Sequence, residues 1–152
     1  MASAPKILIV NGPNLNMLGV REPSIYGRGA LADIEKLCRK SGRELGLAVD
    51  FRQSNHEGEI VGWIQESRST HGGIVINAGA YTHTSIAILD ALQATELPAI
   101  EVHLSNIFRR ESFRHHSYVS LAARAVICGL GPTGYRLALA ALAEILETTK
   151  EV

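Results

Sequence analysis

Polar residues in this chain collect immediately after short apolar runs. The run 6–10, KILIV, leads into Asn11, Gly12, Pro13 and Asn14, and the same loop then carries Arg21 and Tyr26. The run 73–76, GIVI, ends in Asn77 and is followed by Tyr81, Thr82 and His83. A third run ends with Glu101, His103, Leu104, Ser105 and Asn106, ahead of Arg109, Arg110, Arg114, His115 and His116. Each group suggests a chemical use. A tyrosine has a pKa of about 10 and becomes a base at neutral pH only where cations stabilise its phenolate. Arg21, five residues before Tyr26, and Arg110 and Arg114 are candidates for that field. Glu101 precedes His103 by two residues and so shares its face of a strand. A carboxylate that near can fix the imidazole tautomer and favour its protonated form, as a general acid requires.

The elements that must position these residues follow from hydrophobic spacing. Strands are predicted at Lys6–Asn11, Ala48–Gln53, Gly73–Asn77, Ala99–Leu104 and Ala125–Cys128. Ala48–Gln53 alternates apolar and polar, as an edge strand with one wet face does, whereas Gly73–Asn77 is continuously apolar, as a strand covered on both faces is. Helices are predicted at Leu31–Leu45, Glu59–Ser69, Thr84–Thr95 and Gly134–Thr148, with Gly46 ending the first. This alternation predicts a doubly wound α/β sandwich, flavodoxin-like, with five parallel strands in the order 2-1-3-4-5. No repeat, low-complexity tract or linker divides the chain, so 1–152 is expected to form a single domain. In such a sheet the ligand lies beyond the carboxyl ends of the strands, where all three polar groups stand.

Plainer roles compete at each position. Asn14 and Asn77 could serve turns. His83 could sit in the N-cap region of the third helix, beside Thr82 or Thr84 as the usual capping residue. His103 could be a satisfied core histidine, Tyr26 a packing aromatic, and Asp90 part of a solvated helix face. Residues 129–134, GLGPTG, match the dinucleotide pattern G-x-G-x-x-G. The strand and acidic residue that this reading needs about 20 positions later do not fit before residue 152, so turn glycines and a helix-starting Pro132 explain the match better. His103, His115 and His116 lack metal-ligand spacing, so no metal is expected. There is no G-x-S-x-G elbow or P-loop, although Ser105 lies near His103.

Composition narrows the classes further. Among 152 residues, 46% are hydrophobic and 20% charged, as in a soluble globular protein. Fifteen basic and fifteen acidic residues cancel, so neither a nucleic-acid nor a membrane footprint is expected. The cations are mostly arginine, which suits fixed recognition of carboxylates. Cys38 and Cys128 form no visible framework and are expected as buried thiols in a reducing cytoplasm. No signal peptide is apparent, and no apolar stretch reaches the ~18 residues that span a bilayer.

Five segments together carry a family resemblance: NGPNLNMLGVREPSIYG (11–27), RQSNHEG (52–58), INAGAYTHTS (76–85), EVHLSN (101–106) and RESFRHHS (110–117). From Lys6 to Leu146 the chain closely resembles the type II 3-dehydroquinate dehydratases, which remove water from 3-dehydroquinate to give 3-dehydroshikimate. The resemblance implies a flavodoxin-like protomer, no metal or organic cofactor, a cytoplasmic enzyme and a homododecamer built as a tetramer of trimers. It leaves open whether the reaction feeds aromatic biosynthesis or quinate breakdown. Matched position by position, Tyr26 is the catalytic base and Arg21 the lid arginine that supports it. His103 is the general acid oriented by Glu101, and Asn14 helps hold the enolate through an ordered water. Asn77, His83, Leu104, Ser105 and Arg114 match substrate contacts, Arg110 a second arginine near the tyrosine, and Asp90 a residue that reaches a neighbouring subunit's site. Phe108 departs from the more polar residue of many members. The competing class is a non-enzymatic flavodoxin-like binding module, and a hydrolase is a weaker third reading.

Overall fold

The structure of the protein, a computed structural model, describes residues 3–20 and 29–150. Five parallel strands form one sheet: β1 (Lys6–Asn11), β2 (Ala48–Gln53), β3 (Gly73–Asn77), β4 (Ala99–His103) and β5 (Ala125–Cys128). Their order is β2-β1-β3-β4-β5, as the pattern predicts. Among the described residues α1 (Leu31–Leu45), α2 (Glu57–Ser67) and α3 (Ile86–Thr95) connect the first four strands, short 3₁₀ turns lead from β4 to β5, and α4 (Thr133–Lys150) follows β5.

Side-chain parity decides which helix covers which face, because alternate residues of a strand point to opposite sides. Ile7 and Ile9 of β1, with Ile100 and Val102 of β4, pack against Ile34 and Cys38 of α1 and Tyr135, Leu139 and Leu142 of α4. Leu8 and Val10 point the other way, with Ile74 and Ile76, onto Ile60 and Ile64 of α2 and Ile88 and Leu92 of α3. β1 and β3 are therefore apolar along both faces, as strands buried on both sides are, whereas β4 sets Glu101 and His103 on the face opposite Ile100 and Val102. Register lines up three polar strand ends, Asn11 standing opposite Gln53 on one side and Asn77 on the other.

Several boundaries differ from the sequence expectation for local reasons. The first helix does end at Gly46, which adopts φ 73° and donates its N–H to Arg43. α2 starts two residues before the predicted Glu59. Neither Thr82, His83 nor Thr84 caps α3. Residues 79–83 form a tight 3₁₀ turn, and the Ser85 hydroxyl accepts the Ile88 N–H at 3.0 Å. β4 stops at His103, and the carbonyls of His103 and Leu104 instead accept the N–H groups of Gly129 (3.2 Å) and Gly131 (3.0 Å). Those two glycines have φ 89° and 58°, so the GLGPTG segment is a left-handed turn that braces the end of β4. Among the described residues β5 is paired only with β4, and Ala125 and Val126 are exposed. Both cysteines are free; Cys38 is buried, with burial pushing its thiol up to about 12, and Cys128 is half-buried. Among the described residues, no helix is long and apolar enough to cross a membrane.

The approach of β1 to β3 at the carboxyl rim is the tightest constraint on the sheet. The Gly12 N–H donates to the Asn77 carbonyl at 2.8 Å. A Cβ on Gly12 would lie 2.2 Å from the Ala78 carbonyl oxygen, a backbone atom that cannot move aside. Gly12→Ala is accordingly expected to part the two strand ends and cost about 1–3 kcal/mol in urea unfolding, the usual range for overpacking. An unchanged unfolding midpoint would contradict this.

Candidate active site

A cleft opens above the carboxyl ends of β1, β3 and β4, enclosing about 700 Å³ when its mouth is counted. That size is within the range of small-molecule sites. Asn14 and Leu15 line it from the loop after β1, Asn77 and His83 from β3 and its turn, and His103, Leu104 and Ser105 from β4. Arg110 and Arg114 close one side. Among the described residues the wall contains two arginines and two histidines but no aspartate or glutamate. A chain of zero formal net charge thus concentrates positive charge where a ligand would sit.

Glu101 and His103 form the most committed pair. The Glu101 carboxylate is fully buried behind the cleft wall, and its Oε2 lies 2.6 Å from His103 Nε2. An ionised carboxylate only accepts, so the imidazole carries its proton at Nε2 and presents Nδ1 elsewhere. The Ser117 hydroxyl donates to both carboxylate oxygens, at 2.7 and 3.0 Å. Ser117 belongs to a quoted motif, yet its role was not foreseen, since nothing local in the sequence pairs it with a residue sixteen positions back.

His83 is held differently. Its Nδ1 lies 2.8 Å from the His116 carbonyl, which can only accept, so Nδ1 bears the proton. Burial holds its pKa below the ordinary value, an effect the His116 carbonyl opposes and the neighbouring His103 and Arg114 reinforce. The neutral ring then offers a bare Nε2 as an acceptor. The rings of His83 and His103 are nearly parallel, 15° apart, with centroids separated by 6.4 Å.

The remaining residues fall around these two. Asn14 has φ 69°, a conformation asparagine tolerates, and its backbone N–H is fixed at 3.0 Å by Asn55 Oδ1. Its side chain caps nothing, so the turn and cleft readings of Asn14 are compatible. Asn77 is buried, with Oδ1 accepting from the Gly79 N–H and Nδ2 donating to Tyr135. Among the described residues the amides of Leu104 and Ser105 have no hydrogen-bond partner. The Arg114 guanidinium bonds Glu111 from its Nε, and His115 Nε2 lies 3.0 Å from the Arg110 carbonyl. Phe108 is exposed and packs against His115. No described cluster of His, Cys, Asp or Glu could hold a metal ion.

Residues 5–143 match the family described as dehydroquinase class II. The chain belongs to this family. It is 60% identical over 149 residues to a 3-dehydroquinate dehydratase of Streptomyces avermitilis, covering 97% of this chain and 93% of that one. It is 59% identical over 143 residues to 3-dehydroquinate dehydratase 2 of Pseudomonas putida, covering 94% and 96%. Among solved structures, the type II dehydroquinase of Propionibacterium acnes superposes with a TM-score of 0.90 at 47% identity, covering 95% of this chain and 99% of that one. As a class II dehydroquinase the protein is a hydro-lyase with an α/β fold of that family, and the binding-module alternative gives way.

In this dehydroquinase eight of the twelve sequence-identified residues line the cleft: Asn14, Asn77, His83, His103, Leu104, Ser105, Arg110 and Arg114. Glu101 stands behind the wall rather than in it, and Asp90 is exposed on α3 and lines no part of this chain's cleft. Arg21 and Tyr26 lie outside the described residues. The histidine assignments can be checked by ¹⁵N NMR. At pH 7, His83 should be the neutral Nδ1–H tautomer, titrating only as pH falls below 6.5, its ordinary value. A midpoint at or above that value would refute the assignment.

Proposed function

We propose that this enzyme converts 3-dehydroquinate into 3-dehydroshikimate and water, and that it does so through an enolate. The observation that carries the reading is the cationic cleft, free of carboxylates among the described residues and backed by the His103–Glu101 pair. An anionic hydroxy-ketone suits such a cleft. Its carboxylate would meet Arg114 and the backbone amides of Leu104 and Ser105, while Asn77 and His83 would meet its hydroxyls.

The reaction breaks a C–H bond next to the ketone and then a C–O bond one carbon further along. Tyrosinate at Tyr26 takes the proton, and the electron pair moves onto the ketone oxygen. Lowering a tyrosine from about 10 to neutrality needs roughly 4 kcal/mol of preference for the phenolate. Arg21 and Arg110 supply that field. Asn14, with an ordered water, holds the developing oxyanion, which makes the C–H bond acidic enough to break. Collapse of the enolate forms the C=C bond and expels the hydroxyl, which His103 protonates as it leaves. Glu101 orients His103 and balances its imidazolium. Proton exchange with solvent resets both groups. No lysine is required, because no imine forms and arginine cannot form one. The whole of 1–152 acts as one dehydroquinase domain, cytoplasmic and assembled as a homododecamer, a tetramer of trimers. Asp90 on the exposed face of α3 then reaches a neighbouring subunit's site.

Addition of 3-dehydroquinate to chelator-treated protein should raise the enone absorbance, and no rise would overturn the reading. Tyr26→Phe should lose at least about 100-fold in kcat, the lower range for removal of a general base, while still binding product. Retained turnover in that variant would refute the base assignment.

A further inference from the structure

Tyr135 is the one fully buried tyrosine of the described residues, set in α4 among leucines and isoleucines. Its hydroxyl nevertheless reaches the carboxyl rim of the sheet. It donates to Asn11 Oδ1 at 2.7 Å and accepts from Asn77 Nδ2 at 2.9 Å. Asn11 Nδ2 in turn donates to the Arg52 carbonyl at 3.0 Å, and Asn77 Oδ1 accepts the Gly79 N–H at 3.2 Å. The chain of four hydrogen bonds thus begins on a backbone carbonyl and ends on a backbone N–H.

Those two ends fix its direction. A carbonyl only accepts and an amide N–H only donates. Turning over the Asn77 carboxamide would set its NH₂ against the Gly79 N–H, two donors face to face. Turning over Asn11 would set its Oδ1 against the Arg52 carbonyl, two acceptors face to face. Tyr135 has one proton, and Asn11 takes it, so toward Asn77 the hydroxyl can only accept. Burial pushes the Tyr135 hydroxyl well above the ordinary tyrosine range, so the proton stays in place.

We propose that Tyr135 is a positioning residue for substrate recognition, locking the Asn77 carboxamide so that it offers the cleft its second Nδ2 hydrogen as a donor. The site then reads a ligand oxygen at that point through a residue 58 positions away on the far helix. Asn77 lines the cleft, whereas Tyr135 does not touch it. This inference rests on the dehydratase reading for its substrate, but the lock itself does not.

Kinetics of wild type, Tyr135→Phe, Asn77→Ala and the double variant test it, since phenylalanine keeps the packing and removes only the hydroxyl. Tyr135→Phe should lower kcat/KM at least tenfold, chiefly through KM. In the Asn77→Ala background the same change should alter kcat/KM by less than twofold, because the two residues act through one contact. Wild-type kinetics in Tyr135→Phe, or equal losses in both backgrounds, would overturn the proposal. A second measurement requires neither activity nor a folded variant. The Asn77 side-chain amide of the wild-type protein should exchange its hydrogens slowly with solvent, and exchange as fast as a free asparagine would sink the lock. Inert wild-type protein with a slowly exchanging amide would instead overturn the dehydratase reading alone.

Discussion

A carboxylate with no solvent contact lies behind the cleft, and the arrangement of the site depends on satisfying it. Glu101 is fully buried in β4, a strand whose other side chains are alanine, isoleucine, valine and histidine. Leaving such a charge unpaired costs about 3–5 kcal/mol. Its partners are His103 Nε2 and the Ser117 hydroxyl, both within 3.0 Å. Parity explains why these two meet it. Ile100 and Val102 point toward α4, so Glu101 and His103 point the other way, onto the face where Val119 is buried with Ala99. The segment that carries Ser117 is therefore the cover of that face, and the carboxylate is the reason it is anchored there.

The anchoring extends to neighbouring residues. His116, Ser117 and Tyr118 are consecutive, and each bonds a different part of the rim. The His116 carbonyl accepts from His83, the Ser117 hydroxyl donates to Glu101, and the Tyr118 N–H donates to the Thr82 carbonyl at 2.8 Å. Arg110 and Arg114 precede this stretch by a few residues. Their placement in the cleft wall is thus tied to the same carboxylate that orients His103. The positive charge of the cleft and the orientation of His103 are set by one local structure, although His103 ends β4 and the arginines lie in the turns beyond it.

The sequence made the strand order and the identity of the rim residues legible because both rest on periodicity and on strand ends. Asn14, Asn77, His83 and His103 all fall where an apolar run stops, and the structure brings them to one cleft. Ser117, Tyr135 and Asn11 were not legible as site residues. Their partners lie 16, 58 and 124 positions away, and only the packing of α4 and of the 115–121 segment creates those contacts. The cap of α3 was misplaced for a related reason. A 3₁₀ turn consumes residues 79–83, so Ser85, and not either flanking threonine, meets the first free N–H. The GLGPTG segment is legible as turn chemistry, but its use in bracing the His103 and Leu104 carbonyls depends on tertiary contact.

The two cleft histidines show how environment divides roles between identical side chains. They lie nearly parallel at 6.4 Å, and simultaneous protonation of both would place two cations together in a wall that already holds two arginines. Their partners resolve the conflict. His103 bonds a carboxylate, which accommodates an imidazolium as well as a neutral ring, whereas His83 bonds a backbone carbonyl, which pins a single tautomer without supplying charge. Burial further disfavours the charged form of His83. One ring is thereby held against a carboxylate, and the other is left with a bare Nε2 that accepts a hydrogen bond. Two identical side chains are thus given different hydrogen-bonding duties by their surroundings.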